Sequence, residues 1–141
     1  MKRIICVGNR YVAEDAAGPL VYDYLQYQPL PPDVEVVDGG IAGLNLLRWV
    51  EGMERVVFVD HIESLAETED PVIVLNAAEV AALASSRYDH AAGLPYLLRM
   101  LPDVCSGPAP DVAVVGVGGV LNAATIARAA LVALEVANGD G

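Results

Sequence analysis

The side chains able to do chemistry in this sequence are carboxylates and imidazoles, and they stand at one kind of place, just behind apolar runs or in glycine-bearing loops. Glu14 and Asp15 lie in GNRYVAEDAAG, Asp38 closes VEVVD before Gly39-Gly40, Asp60 closes VVFVD before His61, and His90 stands in RYDHAAGL. The chain has no GK[ST] phosphate loop and no GxSxG elbow, and neither Cys6 nor Cys105 has a CxxC neighbour or a catalytic-cysteine context. Nucleophilic serine and cysteine catalysis therefore have no carrier. If the chain is a hydrolase, carboxylates and a metal ion must do the work.

Each of these residues also has an ordinary structural explanation. Glu14 and Asp15 at a helix start are favoured by the helix dipole whether or not they have a function. Asp60 is harder to dismiss: it ends the run Val56-Val57-Phe58-Val59, so its carboxylate sits at the rim of a buried strand, partly desolvated and in need of a partner. A functional ligand and a plain ion pair both answer that need. Gly39-Gly40 permits a tight strand-to-helix turn or lets a ligand approach the backbone closely, and Asp38 can cap the turn that follows. His61 and His90 are the chain's two histidines. His90 falls just before a helix start marked by Pro95, where the dipole favours a neutral, metal-competent imidazole, although a lone loop histidine is commonly just solvated. Extended geometry turns His61 to the face opposite Asp60.

Short β-branched runs alternate with longer helical patterns, the signature of βα units and a mainly parallel sheet. The pattern predicts strands at about 3–8, 34–38, 55–60, 71–75 and 111–117. It predicts helices at about 15–27, 43–51, 78–85, 93–101 and 122–137, the last with Asn122 as N-cap and Asn138-Gly139 as C-cap. The fold class that follows is a three-layer α/β sandwich, with residues 1–141 forming one domain. In open α/β sheets ligands bind beyond the carboxyl ends of the strands. Of the four glycine- or acid-marked strand ends, three carry the carboxylates described above. The fourth, Gly116-Val117-Gly118-Gly119, lacks the dinucleotide spacing and follows the last strand.

Composition bounds the partners. With 141 residues, 55% of them hydrophobic and 19% charged, the chain can bury a sizeable core and is not disordered. The net charge of −11 argues against nucleic acid and anionic membrane, and for a basic or metal-bearing partner. The first apolar run, 4–7, is too short for a secretion signal, and no stretch approaches the roughly 20 residues of a membrane helix. The expectation is a soluble cytoplasmic protein with two free cysteines, favoured as a monomer.

The order of these segments resembles that of the [NiFe]-hydrogenase maturation endopeptidases. CVGNRYVAEDAAGP is similar to the family's first strand, GN turn and acid pair; VEVVDGGIAGLNLL to its DGG segment; VVFVDHI to its strand-end aspartate; HAAGL to its His-x-x-Gly-Leu segment; and VAVVGV to its late strand. The resemblance covers almost the whole chain. It implies that Asp15, Asp60 and His90 converge on a nickel-type divalent ion, a credible open site of two carboxylates and one imidazole. Asp38 matches an aspartate tied to cleavage. The implied activity is removal of the C-terminal extension of the hydrogenase large-subunit precursor after nickel insertion, so that the nickel belongs to the substrate and no organic cofactor is needed.

On that resemblance Asp15 or Asp38 is the catalytic base of an aspartate- and metal-assisted hydrolysis, Asn9, Gly39 and Gly40 contact the substrate, and His61 is the alternative third ligand. A catalytically silent relative that inspects the nickel centre, as a checkpoint or chaperone, is the other reading. The chain departs from the family pattern at Ala13 and Ala16, where glycines are usual, at Glu14, where Asp is usual, and at Gly118-Gly119-Val120. The alanines predict an early start to the first helix.

Overall fold

Alternate residues of the strands are buried on opposite faces of one sheet, and that alternation builds three layers. A computed structural model describes residues 1–41, 44–62, 71–83, 94–105 and 107–139. Its strands are β1 (Lys2–Val7), β2 (Val34–Gly40), β3 (Arg55–His61), β4 (Val72–Asn76) and β5 (Asp111–Val117), ordered β2-β1-β3-β5-β4. The pairs β1/β2, β1/β3 and β3/β5 are parallel, while β4 runs antiparallel along β5. The helices are α1 (Ala17–Leu25), α2 (Leu47–Val50), α3 (Ala77–Leu83), α4 (Leu94–Val104) and α5 (Ala123–Ala137).

Ile4, Cys6, Val57, Val59, Val115 and Val117 face α1 and α5, whereas Ile5, Val7, Val56, Phe58 and Val114 face the layer that holds Leu46, Val50, Val80, Leu94, Leu97 and Leu101. A parallel sheet needs both faces covered, because its crossover helices lie on both. Burying each of these side chains contributes about 1.5–3 kcal/mol. The cysteines Cys6 and Cys105 are free, and burial pushes the Cys6 thiol up, so it packs as a small hydrophobe. Among the described residues no helix is long and apolar enough to cross a membrane.

Each predicted strand and helical region has a counterpart, although the predicted helix positions 84, 85 and 93 lie outside the described residues; β2 runs on to Gly40 and α4 to Val104, and the helix starts differ as follows. The first helix begins at Ala17 and not near residue 15, because Ala13–Asp15 forms a separate 3-10 turn whose last amide, on Asp15, donates to the Val12 carbonyl at 2.9 Å. The second helical region likewise opens as a 3-10 turn, Leu44–Leu46, before α2. Helix α5 is capped as expected, its Asn122 side chain accepting from the Thr125 amide at 2.9 Å.

One close approach sets how α1 leaves the sheet. A Cβ on Gly18 would sit 2.1 Å from the Val7 carbonyl oxygen and 2.6 Å from the Val7 nitrogen, so the first turn of α1 rests directly on the backbone of β1. Gly18→Ala should therefore destabilise the fold by about 3 kcal/mol, the upper range for overpacking. Gly107→Ala, placed where a Cβ meets nothing within 4 Å, should change stability by less than about 0.5 kcal/mol. Urea unfolding of the two variants beside the parent checks both.

Candidate functional site

Strand β1 lies between β2 and β3, so the chain leaves β1 in one direction to reach β2 and the other side of β1 is taken by β3. Where the order reverses, the loops after adjacent strands part and leave a crevice at the carboxyl ends. The loop after β1 and the end of β3 border that crevice, and they carry Asp15 and Asp60 respectively.

The loop after β1 is closed on itself. Gly8 has φ +144°, and a Cβ there would lie 2.2 Å from the Asp15 carbonyl oxygen, so only glycine lets the loop come back over the strand end. The Asn9 amide donates to Asp15 Oδ2 at 2.9 Å, the Tyr11 amide to Asn9 Oδ1 at 3.0 Å, and the Val12 amide to the Asn9 carbonyl at 3.1 Å. Asp15 is thus held from inside its own loop. Its Oδ1 has no hydrogen-bond partner among the described residues.

Asp60 is 6% exposed, the one charged residue buried in the described core, and it follows Val56 to Val59, all fully buried. Its Oδ1 accepts the His61 amide at 2.8 Å, and no cation is paired with it among the described residues. Burial, then the charge of Asp15, push the Asp60 carboxyl well above the usual carboxylate range, with the His61 amide opposing them. Two carboxylates that repel each other in a desolvated crevice take up a proton or a cation. Two carboxylates supply only part of a divalent ion's donor set, and among the described residues no third His, Cys, Asp or Glu completes it.

Asp38 stands apart from that pair, on the rim. Its Oδ1 accepts the Gly40 amide at 3.2 Å and its Oδ2 accepts Arg10 Nη2 at 3.1 Å. Arg10 also grips Asp23 of α1 through Nη1 and Nη2 at 3.1 and 3.3 Å. The two glycines of this segment differ. A Cβ on Gly39 would meet Ile5 Cγ2 at 2.7 Å, so Gly39 serves packing against the sheet, while Gly40 has φ +67° with open space around it and its carbonyl accepts the Gly8 amide at 2.8 Å.

The structure therefore brings Asp15, Asp60 and Asn9 together and leaves Asp38 engaged with Arg10. His90 lies outside the described residues. Among the described residues no group of three His, Cys, Asp or Glu side chains could hold a metal ion, so His61 does not complete a trio with Asp15 and Asp60. Sequence reasoning missed Arg10, although a cation four and five residues before the members of an acid pair, in a chain with only eight Lys and Arg, was a usable signal. It also missed the apolar rim. Tyr11 (91% exposed), Ile41 (69%) and Val120 (75%) follow β1, β2 and β5 at the same carboxyl ends.

Residues 19–123 match the HycI hydrogenase maturation protease family. The chain is 30% identical to the hydrogenase 2 maturation protease of Escherichia coli (strain K12) over 100 residues, which is 70% of this chain and 61% of that protein, less than two thirds of its length. Among solved structures, it superposes on the hydrogenase maturating endopeptidase HybD from E. coli with a TM-score of 0.79 and 27% identity, over 99% of this chain and 93% of that one. An endopeptidase from E. coli solved in solution gives a TM-score of 0.72 and 28% identity, over 95% and 93% of the two chains. The family match runs from α1 through β2, β3, β4 and β5, and the fold agrees along nearly the full length: this chain belongs to the hydrogenase maturation protease family.

Proposed function

We propose that this protein is an endopeptidase that removes the C-terminal extension of a [NiFe]-hydrogenase large-subunit precursor once nickel has been inserted, reading the substrate's nickel through Asp15, Asp60 and His90. The observation that carries the reading is the buried Asp60 carboxylate beside Asp15, with no cation against it among the described residues. A precursor that brings a divalent ion supplies the missing positive charge. A precursor without nickel meets two carboxylates that repel each other, and the crevice has nothing to recognise. Nickel is on this reading the cargo of the substrate, and the apolar rim of Tyr11, Ile41 and Val120 supports a folded protein as the substrate that carries it.

Cleavage of the peptide bond requires a water to attack the carbonyl and a base to take its proton. Of the two candidate bases, Asp15 has the open oxygen, because both oxygens of Asp38 are engaged, one by Arg10 and one by the Gly40 amide. Asn9, bonded to Asp15, and Gly40, bonded to Asp38 and to Gly8, suit contact with the extended segment to be cut, whereas Gly39 is taken up in packing.

Incubating the protein with nickel-loaded and nickel-free precursor and weighing the products tests the reading. The loaded precursor should lose its tail and the nickel-free one should not. Asp15→Ala, Asp60→Ala and His90→Ala should each abolish processing with circular dichroism unchanged; normal processing by His90→Ala overturns the three-ligand reading. Binding of the loaded precursor without cleavage by the parent protein points to the catalytically silent relative.

The same geometry sets a pH dependence. Because Asp60 binds its proton more tightly folded than unfolded, its contribution to stability is complete below the unfolded carboxyl value, about pH 4, and is lost as the pH rises. Asp60→Asn removes that loss. It should raise stability at pH 7 by about 1–3 kcal/mol and flatten the denaturation midpoint between pH 4 and pH 8, while processing disappears. At the rim, Tyr11→Ser and Ile41→Ser should each raise KM about fivefold, as interface anchors do, with kcat little changed in steady-state assays.

A further inference from the structure

Three consecutive residues after β1 each reach a different part of the site. The Gly8 amide donates to the Gly40 carbonyl at 2.8 Å, the Asn9 amide donates to Asp15 Oδ2 at 2.9 Å, and the Arg10 side chain reaches Asp38 at 3.1 Å and Asp23 at 3.1 and 3.3 Å. The first two bonds use backbone amides and are open to any residue that tolerates the turn. Only the third is made by the residue's own side chain. The Arg10 guanidinium lies 38% exposed between two carboxylates that are themselves 48% and 35% exposed, so each contact taken alone is a surface ion pair of little consequence. Together they differ from isolated pairs, because the planar fork meets both oxygens of Asp23 while one of its nitrogens also donates to Asp38.

We propose that Arg10 is a positioning residue of this site: its guanidinium ties the Asp15-bearing loop to the end of β2 and to α1, and so holds Asp38, Gly40 and Asp15 in one fixed relation around the crevice. The inference rests on the reading of that crevice as the place of cleavage. Arg10 pairs with Asp23 and Asp38, which leaves Asp15 and Asp60 as the carboxylates of the site with no cation against them among the described residues. Asp38 then acts through geometry, holding the Gly40 turn with one oxygen and Arg10 with the other.

Amide hydrogen exchange and precursor cleavage, measured on the parent chain, Arg10→Gln, Asp38→Asn and the double variant, test this. Arg10→Gln should speed exchange at the Asn9 and Gly40 amides about fivefold and leave the amides of β1, β3 and β5 unchanged. With nickel-loaded precursor it should lower kcat by a similar factor at constant KM, and it should add no further loss to Asp38→Asn. Unchanged exchange at both amides overturns the proposal, as does a kcat loss that multiplies fully with that of Asp38→Asn. If the parent protein cleaves no precursor, the cleavage reading fails, and exchange at Asn9 and Gly40 still decides whether Arg10 holds the loop.

Discussion

Burial of the Asp60 carboxylate is the constraint around which the other features are arranged. A charge moved out of water into a protein interior carries a penalty of several kcal/mol unless something compensates it. In this chain the carboxylate stands one residue before the end of its strand, behind four fully buried residues, with a second carboxylate close enough to raise its proton affinity further. Only an extensive core offsets such a group. The sheet supplies one on each face, with α1 and α5 covering one side and α2, α3 and α4 the other. The site is thus a local loss of stability sustained by the fold, in the place where a parallel sheet opens to solvent.

Backbone approach places the second carboxylate. Because α1 rests on β1 at Gly18 and the loop doubles back at Gly8, the 3-10 turn that carries Asp15 is drawn down over the end of the sheet. Alanines at positions 13 and 16 do not lengthen the helix, since the turn is fixed by Asp15 itself, whose backbone amide and side chain are both bonded within the loop. The cation at Arg10 then separates the acidic rim into two parts. One part, Asp23 and Asp38, is paired with that arginine and mechanical, while the other, Asp15 with Asp60, has no cation against it among the described residues.

Much of this was legible in the linear chain. β-Branched runs alternating with helical patterns gave strand positions to within two residues, because burial on both faces of a parallel sheet demands continuous apolar runs. Asp60 was legible for the same reason, as a carboxylate at the end of such a run. Local chemistry placed the caps of α5 correctly, since an N-cap depends only on residues three apart. Asp38 was less legible. Its strand-end position is the same kind as that of Asp60, and the sequence contains no sign that a residue 28 positions earlier occupies one of its oxygens.

The sequence by itself therefore determined the layers, the order of elements and which carboxylates reach the carboxyl ends of the strands, all of which follow from periodicity and local propensity. The tertiary structure alone decided which of those carboxylates share a crevice. That choice depends on strand order, which sets β1 beside β3, on a glycine that lets helix and strand backbones touch, and on an arginine whose reach across the rim is a matter of distance in space. Desolvation and charge repulsion act only between groups that the fold has already brought together, and for that reason the special character of Asp60 belongs to the folded chain.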